Sequence, residues 1–129
     1  MPEGALNKQR PKFLSLTEIR LPLPGIVSIL HRISGVGIFL FLPLLLSLFD
    51  SSVSSAESFA GYKQAVANPL VKLILLGLLW AFLHHFCAGI RFLALDMHKG
   101  LELQTARSTA RLVLVVSLIL TVLIGVKLW

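Results

Sequence analysis

The sequence predicts an all-α integral membrane protein with three transmembrane helices. Of its 129 residues, 56% are hydrophobic and only 14% are charged, with a mean hydropathy of +0.85. A soluble domain of this size could not cover so much apolar surface with so few charges. The apolar residues also fall into three runs, each close to the length of about 20 residues that a helix needs to cross a bilayer.

An N-terminal segment, residues 1–24, precedes a membrane domain that spans residues 25–129. Within this domain we expect membrane spans at about 25–49, 69–95 and 107–129. The first span is not a cleaved signal peptide, because its apolar stretch is too long, it begins after residue 24 and no A-x-A-like site follows it. The single cysteine, Cys87, offers neither a disulfide framework nor a cysteine-based metal motif.

The formal net charge is +6, and the basic residues cluster at the ends of the apolar runs. This is the positive-inside pattern of membrane proteins, so we expect no nucleic-acid partner. It predicts a cytoplasmic N-terminus and a cytoplasmic second loop, with the first loop and the C-terminus on the other side. The basic residues on the predicted cytoplasmic side are Lys8, Arg10, Lys12, Arg20, Arg91, Lys99, Arg107 and Arg111.

The first loop, residues 50–68, is rich in serine. Ser54 and Glu57 have capping-box spacing, and Phe59, Tyr62 and Val66 fall on one helical face. We therefore expect a short helix here, lying at the far membrane surface.

In the third span, Ser117, Thr121 and Gly125 recur every four residues. Such a stripe of small residues lets another helix approach closely. Since three spans bury little surface by themselves, we expect a heteromeric bundle with helices from another chain.

Ser28, His31 and Arg32 form a first polar group, near the predicted cytoplasmic end of the first span. Offsets of three and four place them on one helix face, where they could form a pocket for a polar head group. A guanidinium forks onto carboxylates, and a hydroxyl donates to carbonyl oxygens. The alternative for Arg32 alone is an arginine that snorkels to the interface.

His84 and His85 form a second polar group, inside the second span. His85 lies six residues before Arg91, or about 9 Å along a helix, which places it within the hydrocarbon. Either a metal centre or an interhelical hydrogen bond would satisfy a histidine there. His85 is the better candidate ligand, because Gly77, Ala81 and Gly89 share its face and leave room for a flat macrocycle. Trp80 crowds the face of His84 instead.

Adjacent residues on a helix point about 100° apart, so His84 and His85 cannot hold one metal ion from opposite sides. A six-coordinate centre therefore needs a second ligand from elsewhere. Because the first two spans are antiparallel, His85 and the group around His31 should meet at one end of the bundle and form one site.

Two runs resemble the signatures of the succinate dehydrogenase cytochrome b subunit family. The first is Arg10-Pro11 followed by Ser28-Ile29-Leu30-His31-Arg32-Ile33-Ser34-Gly35, and the second is His85-x-x-x-Gly89-Ile90-Arg91, closing with Asp96. The resemblance covers essentially the whole chain. It departs at Phe92, where close relatives often carry a histidine, and at Leu95, where an aromatic residue or methionine is more usual.

The resemblance implies that His85 is an axial ligand of the iron of haem b, with the other ligand supplied by a second small membrane subunit. It implies that His31 and Arg32 lie near the haem propionates, and that Ser28 and Arg32 line the ubiquinone pocket. The chain would then be a non-catalytic, multi-pass anchor in the bacterial inner membrane. Its partners would be the second membrane subunit, an iron–sulfur subunit and a flavoprotein subunit; FAD and the iron–sulfur clusters belong to these partners.

In that assignment, electrons from succinate pass to ubiquinone, linking the tricarboxylic acid cycle to the respiratory chain. The basic segment 8–20 is then a candidate docking surface for the iron–sulfur subunit, with lipid head groups as the alternative. Two other functions stay open. One is an anchor of another haem b complex, such as a fumarate reductase or formate dehydrogenase. The other is a non-redox membrane subunit in which His85 is merely hydrogen-bonded.

Overall fold

The computed structural model describes residues 18–129 and contains four helices there. They are α1 (Leu23–Val53), α2 (Ala56–Ala67), α3 (Pro69–Asp96) and α4 (Leu103–Leu128). Helices α1, α3 and α4 are each long and apolar enough to cross a membrane, so the predicted three-span helical fold is confirmed. Most of the basic segment 8–20 lies outside the described residues.

Proline starts two of the long helices. Pro24 lies in the first turn of α1, and Pro69 opens α3 after Asn68, whose side chain accepts a hydrogen bond from the Leu70 backbone. Proline suits these positions because a first-turn N–H has no partner within the helix. Pro43 lies inside α1, which nevertheless continues to Val53.

Helix α2 confirms the predicted short helix in the first loop, but its predicted cap was wrong. The N-cap is Ser55, whose side chain accepts from the Ser58 backbone, while Ser58 Oγ accepts from the Ser55 backbone. Ser54 is instead the C-cap of α1, and Glu57 lies in the first turn of α2. The serine run offers several residues able to cap, and the end of α1 decides which of them is used.

The three long helices pack around a small core at the end where α1 begins. The core consists of Val27 of α1, Ala88 of α3, and Ala110 and Val113 of α4. The outer surface is strongly apolar, with side chains such as Phe39 73% exposed. That surface suits lipid or partner helices, because apolar side chains need not be buried within the chain when the solvent is lipid.

Helix α4 contributes the predicted stripe of small residues to the interior. Ser117, Thr121 and Gly125 are all buried. The two hydroxyls donate to carbonyl oxygens of their own helix, at 3.0 Å from Ser117 to Leu114 and 2.7 Å from Thr121 to Ser117. A Cβ added to Gly125 would lie 3.0 Å from Cδ1 of Leu76, so this face of α4 packs closely against α3.

Candidate functional site

His31 of α1 and His85 of α3 lie in direct contact. Their rings are stacked with centroids 4.1 Å apart and planes inclined by 10°. Nδ1 of His85 is 3.0 Å from the backbone carbonyl oxygen of His31, a residue 54 positions earlier in the sequence. The two polar groups therefore meet at one place between the two helices.

Ser34 and Gly35, one turn after His31, shape the place where His85 sits. Ser34 is buried, and its hydroxyl donates to the His31 carbonyl at 2.9 Å. Oγ of Ser34 is also 3.4 Å from Nδ1 of His85. A Cβ on Gly35 would lie 2.8 Å from Cε1 of His85, closer than real Cβ contacts occur. Only a residue without a side chain lets the imidazole approach α1 this closely.

The contact with the His31 carbonyl fixes the roles of the two nitrogens of His85. A carbonyl oxygen only accepts, so Nδ1 carries the proton of this bond, and in the neutral imidazole Nε2 is then the nitrogen with a free lone pair. Nε2 makes no hydrogen bond within residues 18–129. It is also not among the side-chain atoms of these residues that are both buried and without a hydrogen-bond partner. This is the arrangement that orients a metal-ligating histidine, in which a hydrogen bond to one nitrogen frees the other.

His84 occupies a different environment. It is fully buried, on the same face of α3 as Ala88 and Arg91, and its ring lies 5.3 Å from that of Trp80. Within the described part of the chain neither of its ring nitrogens has a hydrogen-bond partner, and neither does Nε1 of Trp80. A macrocycle could reach His84 only if the helices separated, whereas His85 is half-buried at the edge of the helix pair.

The other two residues of the first polar group differ in their exposure. Ser28 is half-buried and Arg32 is exposed. The ring of Phe92, at the position where the second signature departs from the usual pattern, lies 5.1 Å from that of His31. The ring of His31 thus lies close to those of both His85 and Phe92, and a Cβ on Gly89 would lie 3.8 Å from its Nε2.

One feature of the site was not predicted. The stacking of His31 on His85 depends on the register of α1 against α3, which Gly35 and Ser34 determine. The signal available in the sequence was Gly35, which lies four residues after His31 and therefore on the same helix face. A glycine there indicates that another group could approach α1 closely beside His31. No group of three or more candidate metal-ligating side chains occurs among residues 18–129.

Comparison with known proteins agrees with the two sequence signatures. Residues 6–124 match the model of the family described as succinate dehydrogenase/fumarate reductase transmembrane subunit. The chain is 42% identical to the succinate dehydrogenase cytochrome b556 subunit of Coxiella burnetii over 125 residues, which are 96% of this chain and 100% of that protein. The proteins of the same name from Paracoccus denitrificans and Rickettsia felis are 34% and 30% identical, covering 88% and 94% of both chains, respectively.

Proposed function

This chain belongs to the succinate dehydrogenase/fumarate reductase transmembrane subunit family, and we propose that it anchors a succinate-oxidising complex to the bacterial inner membrane, where it contributes to the sites for haem b and ubiquinone. As a transmembrane subunit it is not the catalytic part of the complex. The family covers both directions of the reaction, and the names of the relatives favour succinate oxidation.

The observation that carries the haem assignment is the hydrogen bond between Nδ1 of His85 and the His31 carbonyl. It leaves Nε2 of His85 as the ligand nitrogen, at the edge of the α1–α3 pair and outside the closed interior that holds His84. Bound haem would supply a one-electron carrier within the membrane. As the family resemblance implies, a further ligand to the haem iron would come from the second membrane subunit.

The haem propionates would lie near His31 and Arg32. The exposed guanidinium of Arg32 is able to form a forked pair with a carboxylate, and His31 is already in contact with the proposed ligand. The ring of Phe92 also lies 5.1 Å from that of His31, an aromatic neighbour at the position where the family resemblance leads us to expect a histidine. We therefore assign the propionate contacts of this chain to His31 and Arg32 without a contribution from position 92.

The ubiquinone pocket would use Ser28 and Arg32, one turn apart on α1. A hydroxyl and a guanidinium are both donors to a quinone carbonyl oxygen, and their hydrogen bonds stabilise the negative charge that develops there on reduction. The positive-inside rule places this end of α1 at the cytoplasmic face. An iron–sulfur subunit docked there, and through it a flavoprotein subunit, would deliver electrons close to this pocket.

The proposal is tested on the complex purified through this chain. It predicts that partner subunits with covalent or tightly bound flavin and iron–sulfur clusters co-purify, and that the preparation reduces ubiquinone with succinate. Ser28→Ala and Arg32→Ala should lower the turnover with ubiquinone while electron transfer from succinate to a soluble artificial acceptor continues. Lys127→Ala, at the other end of the bundle, is the control and should leave both rates unchanged.

Three results would contradict the proposal. If no succinate-oxidising partner co-purifies, the anchor role is wrong for this chain and a non-redox membrane subunit becomes the better account. If Ser28→Ala and Arg32→Ala leave the turnover with ubiquinone unchanged, the quinone pocket lies elsewhere. Preferred turnover from fumarate to succinate would identify the complex as a fumarate reductase.

A further inference from the structure

A groove runs between α3 and α4 at the end of the bundle where α3 ends, on a different face of α3 from His85. It has a volume of about 300 Å³. Its walls are largely apolar and are lined by Ile90 and Ala94 of α3 and by Leu112 and Val116 of α4. Two cationic residues also line the groove: Arg91, between Ile90 and Ala94 in α3, and Lys99 at its mouth, in the turn after α3. The groove therefore combines apolar walls with two positive charges at the end of the bundle where α3 ends.

Among residues 18–129, no carboxylate pairs with the guanidinium of Arg91. Its side chain is only 8% exposed. Its Nε donates to Oγ1 of Thr109 at 3.1 Å and its Nη2 donates to the Ala106 carbonyl at 3.2 Å. Both acceptors are neutral, and they use two of the five N–H donors of a guanidinium. A buried charge without a counter-ion is costly, so an anion at this position would stabilise the structure.

Lys99 is held at the mouth of the groove by the turn that joins α3 to α4. His98 and Gly100, on either side of it, both have positive φ, 59° and 76°. This turn reverses the chain within a few residues and places a flexible ammonium group close to the end of α3. Arg91 then offers a fixed, nearly buried positive charge, and Lys99 offers a mobile one at the water interface.

We propose that this groove is a binding site for an anionic phospholipid, with one acyl chain between α3 and α4 and the phosphate group at Arg91 and Lys99. The apolar walls fit a hydrocarbon chain, and the paired cations fit a head group with net negative charge. A zwitterionic head group carries its own positive charge, so its electrostatic attraction to Arg91 and Lys99 is weaker. Basic pockets between membrane helices on the cytoplasmic side are of this type. The site does not depend on the proposed haem or quinone assignments.

Photo-crosslinking in the intact complex tests the proposal. The complex is reconstituted into nanodiscs of phosphatidylcholine containing a trace of phosphatidylglycerol with a diazirine on its acyl chain, and the labelled peptides are mapped. We expect labels within residues 90–95 and 112–116. Added phosphatidylglycerol should remove the label, whereas the same amount of additional phosphatidylcholine should not.

Three variants separate the site from general contact with lipid. Lys99→Gln removes the mobile cation and should lower the labelling about fivefold. Ala94→Leu fills the groove and should lower labelling without a change of charge. Arg111→Gln is the matched control, since Arg111 is an exposed cation of α4 at the same end of the bundle that does not line the groove.

Each other outcome overturns the proposal. Equal competition by the two phospholipids would mean that the groove meets only the general lipid annulus. Absence of label at both segments would mean that a partner subunit covers the groove. Equal labelling of the Lys99→Gln, Ala94→Leu and Arg111→Gln variants would mean that neither the cation nor the groove selects the lipid.

Discussion

The imidazole of His85 on α3 stacks on that of His31 on α1, with ring centroids 4.1 Å apart, and its Nδ1 is 3.0 Å from the His31 carbonyl oxygen. One side chain thus makes two contacts with the same residue of the neighbouring helix. The stacking orients the ring, and the hydrogen bond fixes which nitrogen carries the proton. Together they leave Nε2 as the nitrogen of this imidazole that is free to bind a metal.

Gly35 should be required for this arrangement. In Gly35→Ala the new Cβ would lie 2.8 Å from Cε1 of His85, so the imidazole or the helix must move. We expect a loss of stability of about 1–3 kcal/mol from overpacking, together with a lower haem content or a shifted reduction potential. The readouts are thermal unfolding of the purified complex and a redox titration monitored by visible absorbance.

Gly37→Ala is the matched control for Gly35→Ala. It lies two residues away on the same helix, and a Cβ there would meet no atom within 4 Å. Its stability and its visible spectrum should equal those of the wild type. Equal behaviour of the two variants would show that the close approach of His85 to α1 is not needed.

Thr109 should stabilise the packing of α3 against α4. Thr109→Val keeps the shape of the side chain but removes the oxygen that accepts from Nε of Arg91 at 3.1 Å. Because this bond involves a charged donor that is nearly buried, we expect a loss of about 1.5–3 kcal/mol, measured as a lower midpoint of thermal unfolding.

Thr105→Val makes the same chemical change one turn earlier on α4, at an exposed residue, and should leave the midpoint unchanged. If Thr109→Val is no less stable than Thr105→Val, the hydrogen bond to Arg91 does not hold these helices together.

Gly125 should tolerate a small side chain but not a large one. A Cβ there would lie 3.0 Å from Cδ1 of Leu76, the far end of a flexible side chain that is able to shift. Gly125→Ala should therefore be nearly neutral, whereas Gly125→Leu should separate α4 from α3 and cost about 1–3 kcal/mol. Thermal unfolding of the complex measures both.

Val126→Leu adds a methylene group at the next residue, which is 76% exposed, and should have no effect. A stable Gly125→Leu variant would show that the small-residue face of α4 is not closely packed in the assembled complex.

The three spans could be predicted because a helix that crosses a lipid bilayer must be long and apolar. A long run of apolar residues is directly visible in the sequence. The sequence also predicted that the segment around His31 would meet His85, since two antiparallel helices joined by one loop bring those positions to the same end. The residues at which the helices begin and end were harder to predict from the sequence. The capping box was placed at Ser54 and Glu57, one residue before its true start at Ser55, because α1 continues to Val53 and uses Ser54 as its C-cap.

Side-chain environments were the part that the sequence could not settle. His84 and His85 are adjacent and chemically identical, and only the packing of α3 against two other helices encloses the first and leaves the second half-buried. Arg91 was assigned to the end of the second span from its charge. Its hydrogen bonds to Thr109 and Ala106 follow from the angle between α3 and α4, which no local pattern encodes.

We propose that Nε2 of His85 binds the iron of haem b. The most direct test is the reduced-minus-oxidised visible spectrum of the complex purified through this chain, for the wild type and for His85→Ala, with His98→Asn as a control in the α3–α4 turn. We predict a b-type haem spectrum in the wild type and in His98→Asn, and its loss or strong alteration in His85→Ala. An unchanged haem spectrum in His85→Ala would contradict the account and move the ligand to another histidine.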